Sequence, residues 1–222
     1  MFRDRTDAAE QLAERLRGRP WHEPVVLGIP RGGVVTAAVL ADKLDAELDI
    51  VLARKLRAPH QPELALGAIS ETGEVYLNSY GREFEQELRD HIAEEIRHQK
   101  GEIERRRLRC RSVRPPAKVG GRSVIVTDDG IATGSTMIAA LQAVRLHKPQ
   151  ELVVAVPVAS PDRLAEVRRW CDETICLLTP DDFWAIGQFY IDFRTVEDDE
   201  VLELLRQSEQ RRLAQPASAD RP

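Results

Sequence analysis

Ser123-Val124-Ile125-Val126-Thr127-Asp128-Asp129-Gly130-Ile131-Ala132-Thr133-Gly134-Ser135-Thr136-Met137 is the stretch on which the reading of this chain turns. Val124, Ile125 and Val126 form a β-branched apolar run too short for a helix, which predicts a buried strand. Ile138, Ala139, Ala140, Leu141, Ala143 and Val144 then read as an apolar helix. Gly130, Ile131, Ala132, Thr133, Gly134, Ser135 and Thr136 sit where the strand must turn into that helix. Free N–H groups at a helix N-terminus, with hydroxyls beside them, form a cradle for a phosphate. Asp128 and Asp129 would repel a phosphate, so they fit sugar hydroxyls or a Mg2+ ion held by the same ligand. Phosphate and diol side by side describe a ribose 5-phosphate.

With its apolar run, acidic pair and Thr133-Gly134-Ser135-Thr136 loop, this stretch resembles the phosphoribosyl pyrophosphate (PRPP) signature of the type I phosphoribosyltransferases. The resemblance extends over about residues 24–192. It implies Mg2+-dependent transfer of ribose 5-phosphate from PRPP to a nitrogenous base, with pyrophosphate leaving through an oxocarbenium-like transition state. It also implies that the backbone of residues 132–136 holds the 5-phosphate, within a PRPP loop that includes Gly130 and Ile131. Asp128 and Asp129 would hold the diol, directly or through Mg2+, and stabilise positive charge on the ring.

A second strand–loop–helix unit runs from Pro24-Val25-Val26-Leu27-Gly28-Ile29 through Pro30-Arg31-Gly32-Gly33 into a helix over 34–44. In the resembled family this position grips pyrophosphate, which assigns that role to Arg31, Gly32 and Gly33. A strand over 49–53 ends at Arg54-Lys55, the place of a cation that neutralises the leaving group; the competing reading is a solvated basic pair. Residues 56–63, with Pro59, His60 and Pro62, read as a loop able to close over PRPP. Residues 180–190 hold Phe183, Trp184, Phe189 and Tyr190, either a clasp on the core or a hood that stacks a base. The hood loosely resembles that of purine phosphoribosyltransferases and makes Phe183, Trp184 and Tyr190 base-binding candidates, with Asp192 a third candidate Mg2+ ligand. One position departs: Ala132 stands where 6-oxopurine enzymes carry an aspartate, which weighs against hypoxanthine or guanine as the acceptor.

Elsewhere the pattern predicts a helix over 6–17, a hairpin about Glu71-Thr72-Gly73, and one long amphipathic helix over 80–110. That helix either packs within the subunit or serves a homodimer. Strands over 151–158 and 173–178, a helix over 161–170 and a last helix over 197–212 complete the alternation. The expected fold is α/β, a mostly parallel sheet flanked by helices on both faces, with a small hood. One domain over 1–213 is expected, its core at about 24–179 and its hood at about 180–194 plus the N-terminal segment, followed by a disordered tail over 214–222.

The 222 residues carry Lys+Arg 32 against Asp+Glu 37, a formal charge of −5, so no global basic field recruits nucleic acid. The opening Met1-Phe2-Arg3-Asp4-Arg5 lacks the apolar core of a signal peptide, and the apolar stretch over 152–159 is too short to span a membrane. Cys110, Cys171 and Cys176 have no metal-ligand spacing and read as reduced thiols of a cytoplasmic protein. The partners expected are PRPP and a nucleobase-like small molecule. A module that senses PRPP or a nucleotide without turnover is the alternative, because fold alone does not fix function.

Overall fold

The computed structural model describes residues 1–214, with the backbone alone at 62 and 63. In chain order the elements are α1 (Arg5–Leu16), β1 (Val25–Gly28), α2 (Gly32–Lys43), β2 (Glu47–Ile50), β3 (Ala53–Ala58), β4 (Gln61–Ser70), β5 (Val75–Leu77), α3 (Ser79–Glu83), α4 (Arg89–Arg111), β6 (Ser123–Thr127), α5 (Ser135–Leu146), β7 (Glu151–Val158), α6 (Pro161–Val167), β8 (Glu173–Leu178) and α7 (Asp198–Ala214). The tail expected over 214–222 lies, beyond Ala214, outside the described residues.

The main sheet has five strands in the order β2-β1-β6-β7-β8, and every pairing in it is parallel. A parallel sheet is covered on both faces, which is why its strands read as unbroken apolar runs. Val26, Leu48, Ile125, Val153 and Ala155 pack against α1, α2, α4 and α7, while Val25, Leu27, Val124, Val126, Leu152 and Val154 pack against α5 and α6. The chain is therefore α/β, a mostly parallel sheet flanked by helices, with a small antiparallel sheet β3-β4-β5 at its side. Among the described residues no helix is long and apolar enough to cross a membrane.

Three expectations are corrected. The strand expected over 49–53 divides, with β2 ending at Ile50 and β3 beginning at Ala53, so Arg54 and Lys55 lie inside the antiparallel hairpin rather than at the carboxyl end of a parallel strand. Residues 56–63 are not an irregular loop: β3 and β4 form an antiparallel hairpin in which Ala58 pairs with Gln61 across Pro59-His60. Leu56 is fully buried in this hairpin, and His60 takes the left-handed φ of 61° that the tight turn requires. Residues 80–110 are not one helix either. α3 is capped by Asn78, whose side chain accepts the Gly81 N–H at 2.8 Å, and a turn over 84–88 separates it from α4. The i+4 spacing of Phe84, Leu88, Ile92 and Ile96 continues across that turn, so periodicity alone conceals the break.

Register places the site. β1 and β6 are neighbours with Gly28 opposite Thr127, and the Ile29 N–H donates to the Thr127 carbonyl at 3.0 Å. The loops that follow the two strands therefore leave the sheet side by side at its carboxyl edge, where α/β folds bind ligands.

Candidate functional site

The acidic loop starts as β6 ends. The Asp129 N–H donates to Asp128 Oδ1 at 2.9 Å, which bends the backbone between the two carboxylates. The Asp129 carboxylate is buried and receives Arg5 Nε at 2.7 Å, an ion pair with side-chain exposures of 10% for Arg5 and 12% for Asp129. Tyr190 donates its hydroxyl to the Asp129 carbonyl at 2.7 Å. Burial, together with the charge of Asp129, holds the Asp128 carboxyl well above the usual carboxylate range. Burial raises Asp129 too, and Arg5 pulls it back.

Further along, Gly134 takes a left-handed φ of 79° and α5 begins without a side-chain cap. Its first-turn N–H groups face the loop, with Thr133 and Thr136 half-buried beside them and Ala132 exposed. Ser135 is buried, its Oγ 3.5 Å from the Asn78 amide nitrogen. Gly130 lies beneath Ile186: a Cβ there would come within 2.8 Å of Ile186 Cγ2.

The glycine loop presses against this acidic loop. A Cβ on Gly32 would lie 2.0 Å from Asp129 Oδ2 and 2.8 Å from Arg5 Nε, and one on Gly33 would lie 2.8 Å from Asp128 Cα. Only glycine fits at both positions. The Pro30–Arg31 peptide is cis, and α2 likewise begins without a side-chain cap. The Arg31 guanidinium reaches Glu197 at 3.3 Å and Asp198 at 4.0 Å, joining Arg106 and Arg109 at the start of α7.

The chain matches the phosphoribosyl transferase domain family over residues 3–194, most of its length. It belongs to that family. Two relatives from different strains of Mycobacterium tuberculosis, which carry provisional phosphoribosyl transferase names, are 43% identical over 208 residues. The alignment takes in 92% of this chain and 46% of each relative, so the chain spans about half the length of the curated relatives it matches. Among solved structures, TT1426 from Thermus thermophilus is 44% identical with a TM-score of 0.79, over 93% of this chain and 98% of that one.

The other candidates in this phosphoribosyl transferase domain fall into place less evenly. Neighbouring strand residues point to opposite faces, and Arg54 and Lys55 separate accordingly. Arg54 Nε donates to Gln99 Oε1 on α4 at 2.8 Å, and burial near the positive charge of Arg106 lowers its pKa. Lys55 pairs across the hairpin with Ala68, which belongs to the α5-side core. Phe183 packs on Phe189 with centroids 5.3 Å apart, and Trp184 is 85% exposed. Tyr190 is buried between Phe2 and Phe193, at 5.3 Å and 5.0 Å, which leaves its ring no free face for a base. Its base-stacking assignment is corrected on that ground: the ring supports the site from behind.

Asp192 is exposed and accepts the Arg194 N–H at 3.1 Å. No group of three or more His, Cys, Asp and Glu gathers as a metal cage among the described residues. Mg2+ usually takes one or two protein carboxylates and completes its shell with substrate phosphates and water, a demand that the acidic pair fits.

Sequence reasoning missed Arg5. It is the first residue of α1, where a cation opposes the helix dipole, and that unfavourable placement was the available signal of a tertiary partner. Its guanidinium lies 3.9 Å from the Phe193 ring centroid and donates to the Arg194 carbonyl at 2.8 Å.

Proposed function

We propose that this domain binds Mg2+-PRPP and transfers its ribose 5-phosphate to a nitrogenous base, releasing pyrophosphate. The observation that carries the reading is the contact between the two loops. An acidic pair, which leads on to an uncapped, hydroxyl-flanked helix start, sits directly against a glycine loop that opens a second uncapped helix. One ligand with a phosphate, a diol and a pyrophosphate uses all three features.

In this reading the N–H groups of residues 132–136 hold the 5-phosphate, with the Thr133 and Thr136 hydroxyls at its rim. Asp128 and Asp129 provide negative charge at the ribose, where positive charge develops as the bond from C1 to the pyrophosphate oxygen breaks and the bond from C1 to nitrogen forms. Gly32 and Gly33 offer backbone N–H groups to the pyrophosphate, with Arg31 close by. Asp128 and the ligand's own oxygens would hold Mg2+, which would neutralise the departing pyrophosphate. In this reading the covering role expected of a loop over 56–63 falls to the β3–β4 hairpin, which would have to close over the site to exclude water. Phe183 and the exposed Trp184 are the aromatic faces available to a base. Ala132 supplies no proton acceptor, which directs the first assays beyond hypoxanthine and guanine.

One observation favours the second reading, a PRPP-sensing module without turnover. Of the three cations assigned to the leaving group, Arg31, Arg54 and Lys55, the first is held by Glu197 and the second by Gln99, side-chain partners that would have to be exchanged for the ligand. Pyrophosphate release from Mg2+-PRPP across a panel of nitrogenous bases separates the two. Base-dependent release that is lost in Asp128→Asn/Asp129→Asn supports transfer. Tight PRPP binding with no release for any base supports the sensor.

A further inference from the structure

The two carboxylates of the acidic pair are not equivalent. Asp129 is committed to the protein through Arg5 at 2.7 Å, whereas Asp128 is half-buried and its Oδ1 accepts the neighbouring Asp129 N–H. Arg5 in turn is fixed from several directions. Its guanidinium covers Phe193, donates to the Arg194 carbonyl at 2.8 Å and donates to Asp129, which uses both its edge and its face.

The backbone that carries Arg5 is tied to the aromatic segment. The Phe2 N–H donates to the Phe189 carbonyl at 2.8 Å, the Ile191 N–H to the Phe2 carbonyl at 2.9 Å, and the Asp192 N–H to the Arg3 carbonyl at 2.8 Å. Asp4 then caps α1 by accepting the Asp7 N–H at 2.8 Å, so Arg5 enters the helix at a set angle. On the other side the ion pair fills the space where a side chain on Gly32 would stand. It therefore sets the separation between the acidic loop and the glycine loop.

We propose that Arg5 is a positioning residue that locks Asp129 between the two loops and leaves Asp128 as the carboxylate that meets the ribose. The inference rests on the reading of this site as a PRPP site. Without Arg5, the buried Asp129 carboxylate loses its counter-charge and its fixed direction, and the loop that presents Asp128 loses its brace. The aromatic segment over 189–194 loses the same anchor, so acceptor-side and PRPP-side geometry are coupled through one guanidinium.

The test is calorimetric titration of the full chain with Mg2+-PRPP at one fixed pH, with folding of every variant checked by circular dichroism and melting temperature. Arg5→Gln is expected to bind at least about tenfold more weakly than wild type while remaining folded. Arg5→Lys keeps the charge without the planar fork and is expected to fall between the two. Arg5→Gln/Asp129→Asn, which removes the uncompensated carboxylate, is expected to recover part of the affinity lost in Arg5→Gln. Should Arg5→Gln fail to fold, Arg5→Lys and the double variant carry the comparison.

A folded Arg5→Gln that binds within twofold of wild type, while Asp128→Asn abolishes binding, would overturn the role of Arg5 and leave the PRPP reading standing. A fall in melting temperature with no change in affinity would reduce Arg5 to a purely structural part and would equally overturn the proposal. Failure of the wild-type protein to bind Mg2+-PRPP would instead remove the PRPP reading, and this inference with it.

Discussion

The two strand–loop–helix units at the sheet's carboxyl edge share a plan and divide the work differently. After β6 the loop offers side chains: two carboxylates and the half-buried hydroxyls of Thr133 and Thr136. After β1 the loop offers backbone, and its one long side chain, Arg31, leans away to Glu197 and Asp198. The acidic loop is held by residues far along the chain, through Arg5 on its carboxylate, Tyr190 on its carbonyl and Ile186 over Gly130. The glycine loop is held by what it lacks, since any side chain on Gly32 or Gly33 would strike the acidic pair. One loop is thus specified by the groups present and the other by the space left open, and neither would keep its shape without its neighbour.

Substitutions that sharpen this contrast run from strongly destabilising to stabilising. Gly32→Ala drives a Cβ into Asp129 and Arg5, and should cost about 1–3 kcal/mol of stability by overpacking, read from denaturant midpoints. A midpoint equal to wild type would mean that the loops do not press together. Gly134→Ala makes ordinary van der Waals contact, with its nearest neighbour at 3.5 Å, and should cost about 1 kcal/mol for the left-handed φ. Arg31→Ala removes a partly exposed ion pair and should change stability by less than about 1 kcal/mol, while weakening pyrophosphate affinity in a calorimetric titration.

Asp128→Asn runs the other way. Because folding raises the Asp128 pKa, its carboxyl favours the native state at acid pH, and that contribution is lost as pH rises through the folded pKa. The asparagine variant should therefore match wild type near pH ~4 and melt at progressively higher temperature than wild type towards pH ~8. Equal melting temperatures across that range would show that Asp128 carries no such cost.

What could be read from the sequence follows the same division. Val124, Ile125 and Val126 disclosed a buried strand, and the acidic pair with its hydroxyl-rich turn disclosed the loop, because both are local patterns of residue type. The β1 unit was legible for the same reason. The β3–β4 hairpin was not, since Pro59 and His60 suggested an irregular loop where they form a two-residue turn. The division of 80–110 into α3 and α4 was hidden by apolar spacing that persists through the break. Tyr190 was visible as an aromatic residue, but its burial between Phe2 and Phe193 is a tertiary fact. Arg5 lay furthest from view: its partner is 124 residues away, and no local pattern records a contact of that span.

The central claim is that the acidic loop and the glycine loop together receive Mg2+-PRPP. Calorimetric titration of the wild-type chain with Mg2+-PRPP, beside Asp128→Asn, tests it most directly. The account predicts saturable one-site binding by wild type and at least a hundredfold loss, about 2.7 kcal/mol, in a variant that stays folded. A folded wild-type protein that does not bind, or an Asp128→Asn variant that binds equally well, would contradict it.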